Sequence, residues 1–186
     1  MTDLTKKALG QSLKSLLKKK TLDKITIKDI VSDCGVNRQT FYYHFQDIYD
    51  LLDWIFIVEA TKEMEQRRKK NETWQQGLLR TFDYIECNKS FVINTYNSIG
   101  REHFEKYINK VIRQLLAEVV EQRSEGINVT YEDKNFIIDF YTYALLGVIL
   151  NWLRQGTQEN PKKIVDKLSK LIKGDVTRAL EKFDKN

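Results

Sequence analysis

An all-α protein of about nine helices is predicted by three observations on the 186 residues. One proline and eight glycines interrupt the chain, and helix interiors exclude proline because it lacks an N–H and clashes with the preceding turn. Apolar residues recur at i, i+3, i+4 along most of the length, while the alternation of half-buried strands is nearly absent. The 41% apolar fraction is ample for a core, in one compact unit or two small ones.

The first helix is expected over about Asp3–Lys19 with Leu9, Leu13, Leu16 and Leu17 as its buried stripe. Gly10 inside it costs roughly 1 kcal/mol relative to alanine. Thr26 caps a short second helix in which Ile27, Ile30 and Val31 share one face. Gly35 ends that helix, where a left-handed residue is cheap, and Val36 turns inward. Asn37 caps a third helix from Arg38 to Phe45, with Phe41 and Phe45 four apart on its inner face. Two short helices on a tight turn, then a long one, are the sequence form of a helix-turn-helix, whose second helix enters the DNA major groove. Asp47 caps the long helix, a linker over about 48–70 that carries Leu51, Leu52, Ile55, Phe56 and Met64 inward and ends in a charged, solvent-facing tail, Gln66 to Asn71. DNA binding is expected over residues 1–50 and effector sensing and dimerisation over 51–186, with this linking helix between them and the domain boundary in it or just after it, near Asn71.

Five further helical segments follow. Trp74 to Glu86 places Leu78, Leu79, Phe82 and Ile85 at helical spacing, and Ser90 is expected to cap a short helix from Phe91 to Asn97. Arg101 to Arg123 carries Phe104, Ile108, Val111, Leu115 and Val119. From Glu132 to Arg154 apolar residues cover almost the whole circumference, so this helix must be buried on all sides, by its own core and by a second subunit. Asn160 caps and Pro161 opens the last helix, expected to run unbroken to Phe183 with Val165, Leu168, Ile172, Val176 and Ala179 on one face.

The net charge of +5 is unevenly placed: residues 1–28 hold eight lysines against Asp3 and Asp23, a net +6. Next to a helix-turn-helix, such a segment adds to phosphate attraction. Cys34 and Cys87 make neither a disulfide framework nor a metal set, which fits reduced thiols in the cytoplasm. Residues 1–20 lack a signal peptide's unbroken apolar core, and the apolar runs look short of a membrane span, so no membrane partner is expected.

The outward residues of the third helix are Arg38, Gln39, Thr40, Tyr42, Tyr43 and His44. Each carries a hydrogen-bond donor and none is acidic. Arg and Gln pair bidentately with guanine and adenine edges; Thr, Tyr and His suit phosphate oxygens and thymine methyls. Here the chain resembles the DNA-binding domain of TetR/AcrR-type transcriptional regulators. The matching pieces are Thr26 with Asp29-Ile30, Gly35-Val36 in the turn, Thr40-Phe41-Tyr42-Tyr43-His44-Phe45, and Leu51-Leu52. Two positions depart: Ile48 stands where the family usually has a phosphate-gripping lysine, and Cys34 where a small residue is usual. The resemblance implies phosphate roles for Thr40, Tyr42 and His44, and the candidate DNA-binding set also includes Thr26 and Asn37. Gln39-Thr40-Phe41-Tyr42, Trp54-Ile55-Phe56, Trp74-Gln75 and Leu78-Leu79 are further similar to the regulators of dihydroxyacetone kinase genes, a subgroup partnered by a protein coactivator.

No catalytic constellation, glycine-rich phosphate loop or paired-histidine zinc spacing is present, so no enzyme, cofactor or metal is expected. The reading is a homodimeric repressor that binds a palindromic double-stranded operator and is released by an effector. A small effector is expected near Tyr84, His103, Tyr107 and Tyr141, where polar tips stand in apolar surroundings. Two alternatives remain open: a regulator, possibly activating, controlled by a protein coactivator, and a helical scaffold protein.

Overall fold

A computed structural model describes residues 2–70, 73–98, 100–172 and 174–185. Among these, ten α-helices and one short 3-10 turn occur and no strand: α1 (Thr2–Leu17), the turn Leu22–Lys24, α2 (Ile27–Cys34), α3 (Arg38–His44), α4 (Ile48–Lys70), α5 (Trp74–Cys87), α6 (Lys89–Tyr96), α7 (Arg101–Arg123), α8 (Tyr131–Arg154), α9 (Pro161–Ile172) and α10 (Asp175–Lys182). The boundary expected near Asn71 lies outside the described residues, as do the side chains of Met64 and of Gln66 to Lys70. The chain forms two compact units, residues 1–63 with 87–107, and residues 64–86 with 108–186. The chain passes from the first to the second within α4, returns at the end of α5, and passes to the second again within α7.

In the first unit, Leu9, Leu13 and Leu17 of α1 are fully buried, with Ile30 of α2, Phe41 of α3 and Leu51 and Leu52 of α4. Leu16, expected in the stripe, is only half-buried. Polar contacts fix the packing. The Ser12 hydroxyl donates to the Ile30 carbonyl at 3.0 Å, and the Asn94 amide of α6 to the Leu17 carbonyl at 2.7 Å. Lys14 pairs with Glu59 of α4. Gly10 has a reason to be glycine: a Cβ there would stand 3.1 Å from Cζ3 of Trp54 and 3.3 Å from Cγ1 of Ile55, so its absence lets α1 lie close on α4. Behind α4, Phe56 stacks on Tyr107 with centroids 4.9 Å apart and touches Phe91 and Phe104. Asn88 is the N-cap residue of α6; Ser90, expected there, lies exposed inside the helix.

In the second unit, α7 and α8 are tied by Arg113, which reaches Asp139 at 2.9 Å and Asn135 at 2.6 Å. Phe82 of α5 meets Trp152 of α8 edge to face at 4.9 Å, and the Trp152 indole N–H donates to the Glu159 carbonyl at 2.8 Å. Asn160 caps α9 as expected, its side chain accepting the Lys162 N–H at 2.9 Å. The last helix is not continuous. It breaks at Gly174, whose φ of 80° is left-handed, into α9 and α10. Glycine adopts that conformation without strain, whereas the apolar spacing runs on across the break and gives no sign of it.

The apolar character of α8 exceeds expectation: an 18-residue stretch has a mean hydropathy of 1.6, long and apolar enough by length and composition to cross a membrane. Between residues 136 and 153 the sole charge is Asp139; tyrosine, threonine, glycine and alanine break the runs without making them polar. Half of the stretch is buried in its own unit, as in a core helix. The remainder forms one outward face, with Phe136, Phe140 and Tyr143 at 63%, 63% and 67% exposure.

Candidate nucleic-acid interface

The helix-turn-helix is built by its caps. The Thr26 hydroxyl accepts the Asp29 N–H at 3.2 Å, and the Asp29 carboxylate accepts the Thr26 N–H at 2.8 Å and its hydroxyl at 2.9 Å. This reciprocal box starts α2. The Thr26 backbone N–H, then its hydroxyl and the Lys20 ammonium, hold the Asp29 carboxyl down to about 2. At the other end Gly35, with φ 70° and ψ 25°, turns the chain, and the N–H of Val36 returns to the Val31 carbonyl at 3.0 Å. Asn37 then caps α3, its side-chain oxygen accepting the Thr40 N–H at 2.8 Å and the Thr40 hydroxyl at 3.0 Å.

Phe41 (fully buried) and Phe45 seat the inner face of α3, and Phe45 packs against Trp54 of α4 at 5.8 Å. Beyond it, the Asp47 carboxylate accepts the Asp50 N–H at 2.8 Å and Asp50 accepts the Gln46 N–H at 3.0 Å, so α4 starts under its own cap. The short α3 is therefore held at both ends and along one side.

Its outer face divides by what the side chains already do. Thr26, Asn37 and the Thr40 hydroxyl are committed to caps. Arg38 folds along the helix: Nη2 donates to the Tyr42 phenol oxygen at 3.2 Å, with the guanidinium 5.6 Å from the ring centroid. Tyr43 is 77% exposed, with His44 edge-on to it at 4.9 Å. The side chains of Gln39, Tyr43 and His44 make no hydrogen bond among the described residues. A cluster of donors with no acid, on a seven-residue helix roughly 10 Å long, has the dimensions and charge of a major-groove reader. Sequence reading missed that Lys20 is engaged with Asp29 at 3.1 Å and that the Lys6 ammonium sits 5.5 Å from the Phe45 ring. Neither contact has a local sequence signal.

The four expected effector residues are not gathered in one unit. In the first unit, His103 Nδ1 lies 2.5 Å from Asp53 Oδ1, its ring stacked on Tyr49 at 5.5 Å, while Tyr107 is buried against Phe56. Tyr84 and Tyr141, both half-buried, belong to the second. Burial, then the Asp175 charge, pushes the Tyr141 phenol up.

Fold and surface together define a helix-turn-helix DNA-binding protein. The model of the bacterial regulatory proteins of the tetR family matches residues 13–55, and that of a transcriptional regulator C-terminal region matches residues 72–174. The chain belongs to the TetR family of DNA-binding transcriptional regulators. It is 25% identical over 155 residues to the dhaKLM operon transcriptional activator DhaS of Lactococcus lactis, covering 82% of this chain and 81% of that protein. A solved structure of a dihydroxyacetone kinase operon activator DhaS superposes with a TM-score of 0.69 at 22% identity, over 97% of this chain and 98% of that one. The fatty acid degradation regulator FadR from Bacillus halodurans shares the fold at a TM-score of 0.62 and 15% identity, over 94% and 93% of the two chains.

Proposed function

We propose that this protein is a homodimeric, sequence-specific regulator whose α3 reads operator bases and whose C-terminal part dimerises and senses a signal in the cytoplasm. The observation that carries this reading is the outer face of α3, six donor-bearing side chains without a carboxylate on a doubly capped frame. Arg38 and Gln39 open the helix, where side chains reach base edges. Tyr42, Tyr43 and His44 hold the DNA backbone, joined by Thr40 when its hydroxyl turns from Asn37 to a phosphate, while Thr26 and Asn37 serve by fixing the two helices. Residues 1 to about 50 form the DNA-binding part, and their lysines add sequence-independent attraction. The outward stripe of α8, with Leu171 of α9 at 68% exposure, supports a second copy as its cover, because a face this apolar is otherwise exposed to water. Two copies imply a palindromic operator.

Control as a repressor works by population shift: the effector favours a spacing of the two recognition helices that no longer fits adjacent grooves. A second reading, control by a protein partner with activation as the output, draws support from two observations. The rings of Phe56, Phe91 and Phe104 pack around Tyr107, one of the four residues expected to sense a ligand, with centroids of contacting pairs 4.9 to 6.3 Å apart. DhaS, similar over most of its length, is named an activator. Selection of bound duplexes from random DNA with the purified protein tests the common part: a preferred palindrome with steeply salt-dependent affinity is expected. No duplex preference at any salt concentration overturns it.

A further inference from the structure

A cavity of about 310 Å³ opens on the second unit where α5, α7, α9 and the first turn of α10 come together. It lies near the lower end of the roughly 300–1,000 Å³ typical of small-molecule sites. Trp74, Val119 and Ile172 give it apolar walls. Among the described residues its polar lining consists of Gln75, Arg123, Ser169 and Thr177, with no carboxylate. Among the described residues none of these four side chains makes a hydrogen bond or an ion pair, and the indole N–H of Trp74 makes none either. Asp175, the acid beside the cavity lining, is occupied by Arg178 at 3.6 Å. Gly174, the N-cap of α10, supplies no side-chain cap, and Asp175 is the acidic residue in that helix's first turn.

We propose that this cavity binds a small aromatic monocarboxylate, an inference that rests on the effector reading above and gives that effector a chemical class. The flat apolar part lies against Trp74 between Val119 and Ile172. The carboxylate takes the guanidinium of Arg123, whose fork matches its two oxygens, with the hydroxyls of Ser169 and Thr177 beside it. Among the described lining residues, one cation with neutral donors suits a monoanion; a phosphate ester would want a second charge, and a bare inorganic anion would leave the apolar walls wet. None of the four residues singled out by sequence is among those lining it.

The test is calorimetric titration of the full-length protein with phenylacetate, and with neutral phenylacetamide as control. Saturable phenylacetate binding is expected, at least about tenfold tighter than the amide and about tenfold weakened in Arg123→Gln, as for loss of one charge-assisted pair. Arg123 is exposed, so the variant should keep its fold; if circular dichroism shows otherwise, Thr177→Val with Ser169→Ala replaces it and should weaken binding in the same direction. No saturable heat at about 10 mM ligand, equal affinity for the amide, or undiminished affinity in the variant overturns the proposal. Duplex binding measured on the same samples separates the two readings. Protein that binds DNA but not phenylacetate overturns the cavity assignment alone, whereas protein that binds phenylacetate but no duplex supports the cavity and overturns the regulatory reading.

Discussion

Arg38 and Gln39 stand where α3 begins, and the loss of either side chain should be felt at one base position in each half-site. Arg38→Ala and Gln39→Ala are each expected to cost about 1–3 kcal/mol on the preferred duplex and to relax that position in a random-duplex selection. Unchanged preference in both variants would remove them from the base-reading set. Tyr42 is tied to this readout, because its phenol oxygen accepts from Arg38 Nη2. Tyr42→Phe should therefore weaken all duplexes, flatten the salt dependence, and also relax the position that Arg38→Ala relaxes. A purely uniform loss would leave Tyr42 with phosphate alone. Asp29 gives a pH signature. Its folded carboxyl sits at about 2 against an ordinary 3.8, so the fold favours the charged form. That stabilisation is complete above the ordinary value and is lost as pH falls toward the folded one. Asp29→Asn should thus melt below the wild type at neutral pH, with the gap closing between about pH 4 and pH 2 in thermal scans. The Thr26 cap was legible from its place before an apolar face, whereas the reciprocal hold by Asp29 came with the structure. The Arg38–Tyr42 contact needed the helix to be drawn, since i, i+4 neighbours become partners only when their rotamers meet.

At the level of the element, caps are the parts that sequence describes best and small-residue breaks the parts it describes worst. Gly35 is a case of the first kind. Its φ of 70° is left-handed and no atom lies within 4 Å of a built Cβ, so Gly35→Ala should cost only the strain of that conformation, about 1–2 kcal/mol. A denaturant midpoint unchanged from wild type would show that the turn relaxes. Gly174 is a case of the second kind. The stripe Val165, Leu168, Ile172, Val176 continues in sequence as though nothing intervened, yet the chain turns there. Periodicity reports which face is apolar and is blind to a change of axis between two helices that share that face. Ser90 failed for a related reason: a good capping residue is also tolerated in the first turn of a helix, and α6 begins two residues earlier, at the cap Asn88.

For the molecule as a whole, the all-round apolar circumference of α8 was legible, and its meaning is now divided. One side is buried in the monomer; the other presents Phe136, Phe140 and Tyr143 to the outside. Phe140→Asp should leave the monomer core intact, since the side chain is 63% exposed, and should yield folded monomers by light scattering. An unchanged dimer mass would put the interface elsewhere. What surrounds the expected effector residues was not legible. His103 and Tyr107 carry the right chemistry, but their surroundings come from Asp53, Tyr49 and Phe56, some fifty residues away in sequence, and no local pattern encodes such partners.

The close seating of α1 on Trp54 has an optical consequence. The indole lies against the missing Cβ of Gly10 on one helix and the Phe45 ring that closes the recognition helix, so its emission senses the state of both. The other two tryptophans, Trp74 and Trp152, belong to the second unit. With those two replaced by phenylalanine, fluorescence from Trp54 alone becomes an intrinsic reporter of the DNA-binding unit, readable while the rest of the chain is loaded with any signal. A shift of that emission when operator DNA is added, absent in a duplex of scrambled sequence, would let the engagement of α3 be followed in real time without a label.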